Sequence, residues 1–524
     1  MHEFEAVLLL LGAVAVLALL ARRLGISYPF LMVIGGLALG LVPGLPRFEL
    51  APEIVLVIFL PPILFAAAFF TSVREFRRNI RPITLLAFGL VLTTTAVVAV
   101  VAHALIPGMP WAAAFALGAI VSPPDAIAVT ALAQRLGMPR RLVTILEGES
   151  LVNDATALVA YRFAVAAVGG GFVPGEAAIS FVSVAAGGLF IGAVVGAAVA
   201  WLLARIADPP VEVLLSLLAP FAAYLPAESV DASGVLATVT AGMILGWRAP
   251  RILAPDARVL ASATWQMVLF AVEGLAFTLI GLQLPLALES MEDRSLVELL
   301  WLAAAISATV ILVRLAWVFP ATYVPRWIVP GLARRDPPPP RSAVLVLGWS
   351  GMRGAVSLAA ALALPLVAND GQPFPHRDLI LFLAFAVIIV TLLGQGLTLP
   401  WLIRRFGLGD DGSSADEERH AREAATAAAL DRLEQLRAEW PDHEPLIDQL
   451  RDRYLHRQEH LSHHEDVDGT PIDQEAAEHA EIRQAVLGAE RLAVIDLRDR
   501  GLITDDALRR VERDIDLEEL RSEA

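Results

Sequence analysis

From its first residues to about position 405 the chain repeats one pattern: apolar runs of roughly 18–27 residues, separated by short turns. A helix needs about 20 apolar residues to cross the hydrocarbon core of a bilayer, and a helix satisfies its own backbone there. The pattern therefore predicts an all-α polytopic membrane protein. With 56% hydrophobic residues and a mean hydropathy of +0.64, the chain is too apolar to be a single soluble core of 524 residues.

The expected spans cover residues 4–21, 26–43, 52–70, 82–106, 110–135, 141–168, 178–204, 211–226, 232–247, 262–287, 294–320, 342–367 and 378–402, thirteen in all. The arginines test this list independently. Loops that alternate onto one face hold 19 of them, from Arg22 and Arg23 to Arg404 and Arg405, while the opposite loops hold only Arg47, Arg294 and Arg377. The positive-inside rule assigns the richer face to the cytoplasm. That puts the N-terminus outside and the C-terminal tail inside a cell (inner) membrane. The N-terminal stretch lacks a basic leader and a small-residue cleavage site, so it reads as a retained first span.

Past residue 405 the chain turns polar. Residues 407–524 hold 15 Arg against 32 Asp and Glu, residues 1–406 hold 25 against 23, and the formal net charge of −15 is therefore a property of the tail. An acidic chain of this kind argues against a nucleic-acid partner. The tail, residues 406–524, is expected to form a small helical cytoplasmic domain. Its group of His456, His460, His463 and His464 with Glu459 and Glu465 fits a solvated helix face better than a pH sensor or a zinc motif. The absence of cysteine excludes disulfides and thiolate metal sites.

Three charges sit where lipid should forbid them: Asp125, Asp154 and Arg353, in SPPDAIAV, EGESLVND and GWSGMRGAV. A charge at bilayer depth costs several kcal/mol unless paired, hydrated or titrated, which makes each a candidate functional residue. At ~1.5 Å per residue, Asp154 lies about 20 Å beyond Arg141, Arg353 about 18 Å beyond Arg341, and Asp125 about 15 Å before Arg135. Three segments thus deliver charge to a similar depth.

The backbone is unusual there too. Pro123 and Pro124 break the fifth span, with Ser122 as the expected N-cap of the second half and Asp125 in its first turn. Gly348, Gly351 and Gly354 interrupt the twelfth span around Arg353. Broken helices survive at membrane depth only where protein or a water-filled cavity satisfies them. Two of them, seven spans apart, point to the binding site of a transporter built from inverted repeats. Repeat one would take about residues 1–168, a linker helix about 178–204, and repeat two about 211–402.

On the sixth span a 100° step puts Glu147, Ser150 and Asp154 on one stripe and turns Glu149 away. Asp154, with the Ser150 hydroxyl beside it, is assigned to the ion. Glu149 is assigned to a structural ion pair with Arg353. Glu273 and Arg314 also lie at depth and either join helices or line the pathway. His103 and Arg162 read as interfacial, Arg162 by snorkelling.

The fragments LPPILFAAAFF, SPPDAIAV, GESLVNDATALV, SGVLATVTAGMILG, LIGLQLP and GWSGMRGAVSLAAALALP, in this order over residues 1–405, resemble the sodium/proton exchanger branch of the cation–proton antiporters, and most closely its bacterial members. The resemblance implies thirteen helices in two inverted six-helix repeats, two crossed broken helices, a homodimer and alternating access. It assigns cation and proton binding to Asp154, with Asn153, Ser150, Pro124 and Asp125 completing the site, and a structural pair to Glu149 and Arg353. The Asn153–Asp154 pair implies electroneutral one-for-one exchange. Leu64, Phe65 and Ala66 stand where many relatives carry an acid, which removes a cation ligand seen in some members.

The expected function is secondary antiport of protons against monovalent cations, Na+ first, then Li+ or K+, with membrane lipid around the spans and no resident cofactor. A cation channel or facilitator on the same scaffold is the alternative. An intramembrane aspartyl protease is disfavoured, because no GxGD-type fragment surrounds Asp125 or Asp154, and no Ser–His pair lies at depth. The chain is not expected to be an enzyme.

Overall fold

A computed structural model describes residues 2–24, 28–42, 52–125, 129–130, 136–168, 174–289, 291, 294–368, 371–408, 413–462 and 485–497, with scattered positions between 500 and 518. Among these the protein is helical, its only β feature an isolated bridge between Val367 and Pro373. It forms two compact units, Met1–Asp411 and Gly412–Ala524.

In the first unit the helices run in order α1 (His2–Leu24), α2 (Tyr28–Gly40), α3 (Pro52–Phe70), α4 (Ile80–Leu105), α5 (Trp111–Val121), α6 (Arg140–Ala166), α7 (Pro174–Leu203) and α8 (Pro209–Ser229). They continue with α9 (Gly234–Ile252), α10 (Pro255–Glu289), α11 (Leu296–Ile328), α12 (Arg341–Trp349), α13 (Ala355–Leu362) and α14 (Arg377–Phe406). A helix, whole or interrupted, lies at each expected apolar run. Among the described residues six are long and apolar enough to cross a membrane by themselves: α4, α8, α11, α14 and the greater parts of α7 and α10. The 27-residue α6 is long enough but carries Glu147, Glu149 and Asp154 through its middle.

Lipid removes the hydrophobic drive between apolar helices, so close packing through small residues takes its place. Gly188, Gly192 and Gly196 form one row on α7 against α9. A Cβ at Gly192 would collide with the Ala237 backbone, so the two backbones are in direct contact. Two helices relax into π geometry, α4 over Leu85–Leu90 and α14 over Val390–Gln395. The first shift leaves the Leu85 carbonyl to accept the Trp317 indole N–H at 3.0 Å.

The arginine-rich ends of three helices meet at one acid. Arg81 of α4 and Arg141 of α6 each donate to the Asp336 carboxylate at 2.5 Å, and Arg326 of α11 donates to it at 2.8 Å. Arg326 Nε also reaches the Asp336 carbonyl at 3.0 Å. Nearby, Glu75 takes the Thr144 hydroxyl at 2.8 Å and pairs with Arg140 at 3.0 Å. Partial burial raises the Asp336 pKa, but the hydrogen bond from Arg141 and the charges of Arg141, Arg326 and Arg81 outweigh it and hold the group below its ordinary value.

In the second unit, α15 (Ser413–Glu439) and α16 (Glu444–Ser462) pack together across a short turn at Pro441–His443. Leu433 and Ile447 are buried, and Arg437 bridges Glu444 and Asp448 at 2.9 Å each. His456 is exposed on α16. His463, His464 and Glu465, and the side chains of Glu459 and His460, lie outside the described residues. No group of three or more His, Asp or Glu able to hold a metal occurs among the described residues.

Asp336→Asn should leave three arginines sharing a neutral amide and cost roughly 1–3 kcal/mol, the usual range for losing a hydrogen-bonded charge. A lower thermal unfolding midpoint of the detergent-purified chain would register it. Because the folded pKa is depressed, the contribution is full above the ordinary Asp value near about 4 and lost only as pH falls through the lower folded value. The difference between wild type and variant should therefore stay constant from about pH 5 to 8.

Candidate functional site

The two interruptions cross each other. Helix α5 stops at Val121 and α12 at Trp349, and the non-helical segments 122–125 and 350–354 pass in contact. The amide of Asp125 donates to the Met352 carbonyl at 2.7 Å. A helix that ends inside the molecule leaves carbonyls without partners and a partial negative charge. Here both C-terminal ends receive an arginine. Arg353 donates through Nε to the Val121 carbonyl at 3.0 Å and through Nη2 to that of Ser122 at 3.4 Å, and it also reaches the Gly351 carbonyl. Arg314 of α11 donates to the carbonyls of Leu347 and Ser350 at 3.2 and 3.4 Å.

The opposite compensation occurs where α13 begins. Asp125 accepts the Ala355 N–H at 3.2 Å, placing a carboxylate at the positive end of a helix. The acid at a helix N-terminus was expected from sequence, but on its own span. Ser122 is not an N-cap: it is the C-cap of α5, its hydroxyl donating back to the Ala119 carbonyl at 3.1 Å. Residues 126–128, where the second half of that span would begin, lie outside the described residues. Gly354 has no room for a side chain, since a Cβ would fall on the Asp125 carboxylate.

The expected Glu149–Arg353 pair is corrected. Glu149 is held by Arg314 in a two-pronged contact of 2.5 and 2.9 Å, with both side chains essentially inaccessible. Arg353 lies in the crossing itself, its guanidinium committed to backbone carbonyls and its amide donating to the Thr391 hydroxyl at 3.2 Å. Both arginines sit at mid-depth in the sequence. Only the fold tells which one α6 faces.

Asp154 is 5% exposed on α6. Among the described residues its carboxylate makes no hydrogen bond or ion pair; the charge that acts on it is that of Asp125. Its neighbour Asn153 is fully buried and donates through Nδ2 to the Pro124 carbonyl at 2.8 Å, tying α6 to the crossing. The Asn153 Oδ1 is buried without a hydrogen-bond partner among the described residues. A cavity of about 510 Å³ opens beside α6, walled by α2, α3, α6 and α10. Glu147 and Ser150 both line it, as their shared stripe requires, and Ser150 lies one helical turn before Asp154. The cavity lies toward the arginine-rich face, because Thr71, just past the end of α3, is part of its wall.

Glu273 of α10 lines the same cavity and accepts the Tyr28 hydroxyl at 2.6 Å. Arg314 proves to be a helix–helix link. Arg162, read from sequence as interfacial, forms an ion pair with Glu228 at the end of α8. His103 stacks on Trp111, with ring centroids 4.1 Å apart, and its Nδ1 lies 2.7 Å from the Met109 carbonyl. Tyr28 and Thr391 gave no signal in the sequence, being ordinary residues in apolar helices.

Because Glu149 and Arg314 are fully buried, removing either one leaves a bare charge and should destabilise the protein by about 3–5 kcal/mol. Glu149→Gln and Arg314→Gln should each lower the unfolding midpoint sharply, and the double variant should lose less than the sum. Arg353→Gln combined with Glu149→Gln should show a smaller rescue, because Arg353 feels the charge of Glu149 without bonding to it, which distinguishes the two arginines. Additive losses for Glu149 and Arg314 would contradict the pairing.

The family model described as "Sodium/hydrogen exchanger, transmembrane" matches residues 8–405. An uncharacterised Na+/H+ exchanger of Mycobacterium tuberculosis is 38% identical over 98% of this chain and 95% of its own length. A sodium, potassium, lithium and rubidium/H+ antiporter of Bacillus pumilus is 37% identical over 77% of this chain and 61% of its own length. The solved structure of the sodium proton antiporter MjNhaP1 from Methanocaldococcus jannaschii shares the fold at a TM-score of 0.60 and 20% identity, covering 76% of this chain and 97% of that one. The chain is a multi-pass membrane protein that belongs to the sodium/hydrogen exchanger family of cation/proton antiporters.

Proposed function

We propose that the protein exchanges protons for monovalent cations one for one, with Asp154 holding each in turn. The contrast between two acids five residues apart on α6 carries this reading. Glu149 is neutralised by Arg314, whereas Asp154 has no counter-charge among the described residues. A carboxylate kept at depth without one must be protonated, hydrated or bound to a cation. Ser150 lies one turn before it, Asn153 is its chain neighbour and holds the Pro124 carbonyl, and the charge of Asp125 acts on it; we assign these oxygens, the hard ligand type that suits Na+, Li+ and K+, to one ion site with Asp154.

A single carboxylate cannot hold proton and cation together, so their competition is the coupling. With one acid cycling, the exchange is electroneutral. The breadth named for the Bacillus pumilus relative supports Li+ and K+ beside Na+, and the apolar α3 wall at Ala66 is consistent with modest selectivity. We further propose thirteen spans in two inverted repeats, the cavity facing the cytoplasm, the N-terminus outside a cell (inner) membrane, a homodimer, and a tail that forms a separate cytoplasmic unit.

In proteoliposomes carrying a pH-sensitive dye, Na+, Li+ or K+ should drive proton flux through the wild type and none above background through Asp154→Asn. Flux retained by that variant would remove Asp154 as the carrier. Shared occupancy also predicts that lowering pH raises the apparent KM for the cation while leaving the maximal rate in place. A KM independent of pH would contradict competition at one site.

A further inference from the structure

The wall of the cavity opposite α6 carries a carboxylate that the exchange cycle does not use. Glu273 is 6% exposed and lies far along the 35-residue α10 from either end. Among the described residues it has no cationic partner. Tyr28 of α2 donates its hydroxyl to Oε2 at 2.6 Å, while Oε1 makes no hydrogen bond among the described residues. Glu149, the other acid buried at this depth off the Asp154 stripe, is fully neutralised, so a structural role accounts for it. Nothing comparable accounts for Glu273.

The surroundings suit a small cation. The α3 wall contributes Ile63, Ala66, Ala67 and Phe70, with Thr71 just beyond it, and no charge. Glu147 and Ser150 face the cavity from α6. The charge of Asp125 at the helix crossing acts on both Glu273 and Tyr28, which puts this wall within electrostatic reach of the ion site. A cation leaving water for Asp154 must shed its hydration shell on the way, at a cost that a second hard oxygen ligand offsets.

We propose that Glu273, oriented by Tyr28, is a second cation-binding carboxylate on the approach to Asp154, where a monovalent cation exchanges part of its water for protein oxygen. The inference rests on the antiport reading for its direction of traffic, but its binding chemistry stands on the cavity alone. Tyr28 positions the carboxylate by occupying Oε2, which leaves Oε1 for the ion. Because Asp154 remains intact in Glu273 variants, the signature is weaker capture of the cation with turnover retained.

The test uses the full chain with two readouts: cation-driven proton flux in proteoliposomes, and stabilisation of the detergent-purified protein against heat by NaCl, LiCl or KCl relative to choline chloride. Glu273→Gln should raise the KM for the cation about five- to twentyfold, as loss of a charged ligand implies, and shift the half-stabilising concentration in parallel. The maximal rate should remain within about threefold, and Glu273→Asp should recover part of the affinity. Tyr28→Phe, which keeps the ring and removes one donor, should raise both about two- to fivefold and serves if Glu273→Gln does not fold. Unchanged KM and unchanged half-stabilising concentration in a folded variant would overturn the proposal, as would lost turnover at unchanged KM. If the wild type shows no proton-coupled flux yet salt stabilisation still depends on Glu273, the antiport reading fails and the binding site stands.

Discussion

A helix that stops within a membrane exposes backbone groups to a medium that cannot solvate them. Everything at the centre of this protein follows from solving that problem twice in one place. Arg353 closes the carbonyl end of α5 and Arg314 that of α12, while Asp125 meets the amide end of α13. Each charged side chain compensates a helix terminus of the opposite sign. The compensation draws on segments far apart in sequence, so α5, α11, α12 and α13 all contribute to the one crossing.

That arrangement also sorts the buried acids. Glu149 is tied to Arg314, and Asp125 is tethered to a helix start. Asp154, one residue after the Asn153 that clamps the Pro124 carbonyl, has no such tie among the described residues. A fixed framework of satisfied charges beside an acid without a counter-charge suits the carrier role proposed for Asp154.

Much of this was legible in the sequence. The length of the apolar runs, the Pro123–Pro124 break and the glycines around Arg353 placed the helices and both interruptions, because each is a local property of the chain. The 100° geometry of α6 correctly separated Glu147 and Ser150, which face the cavity, from Glu149, which does not. What failed was pairing at a distance. Arg314 and Arg353 have similar depth and the same chemistry, so spacing could not say which one meets Glu149. Asp125 was read against its own span, whereas it serves a helix start 230 residues away. The Asp336 cluster was invisible for the same reason: its arginines looked like ordinary basic loop residues, and only the fold converges them.

That cluster has a mechanical consequence. One carboxylate grips the ends of α4, α6 and α11, and α6 and α11 are riveted again at mid-depth by Glu149 and Arg314. Helices pinned at two heights cannot slide or swing separately. The α6 and α11 helices, with the crossed segments that Arg314 and Asn153 tie to them, are thereby joined as a single slab.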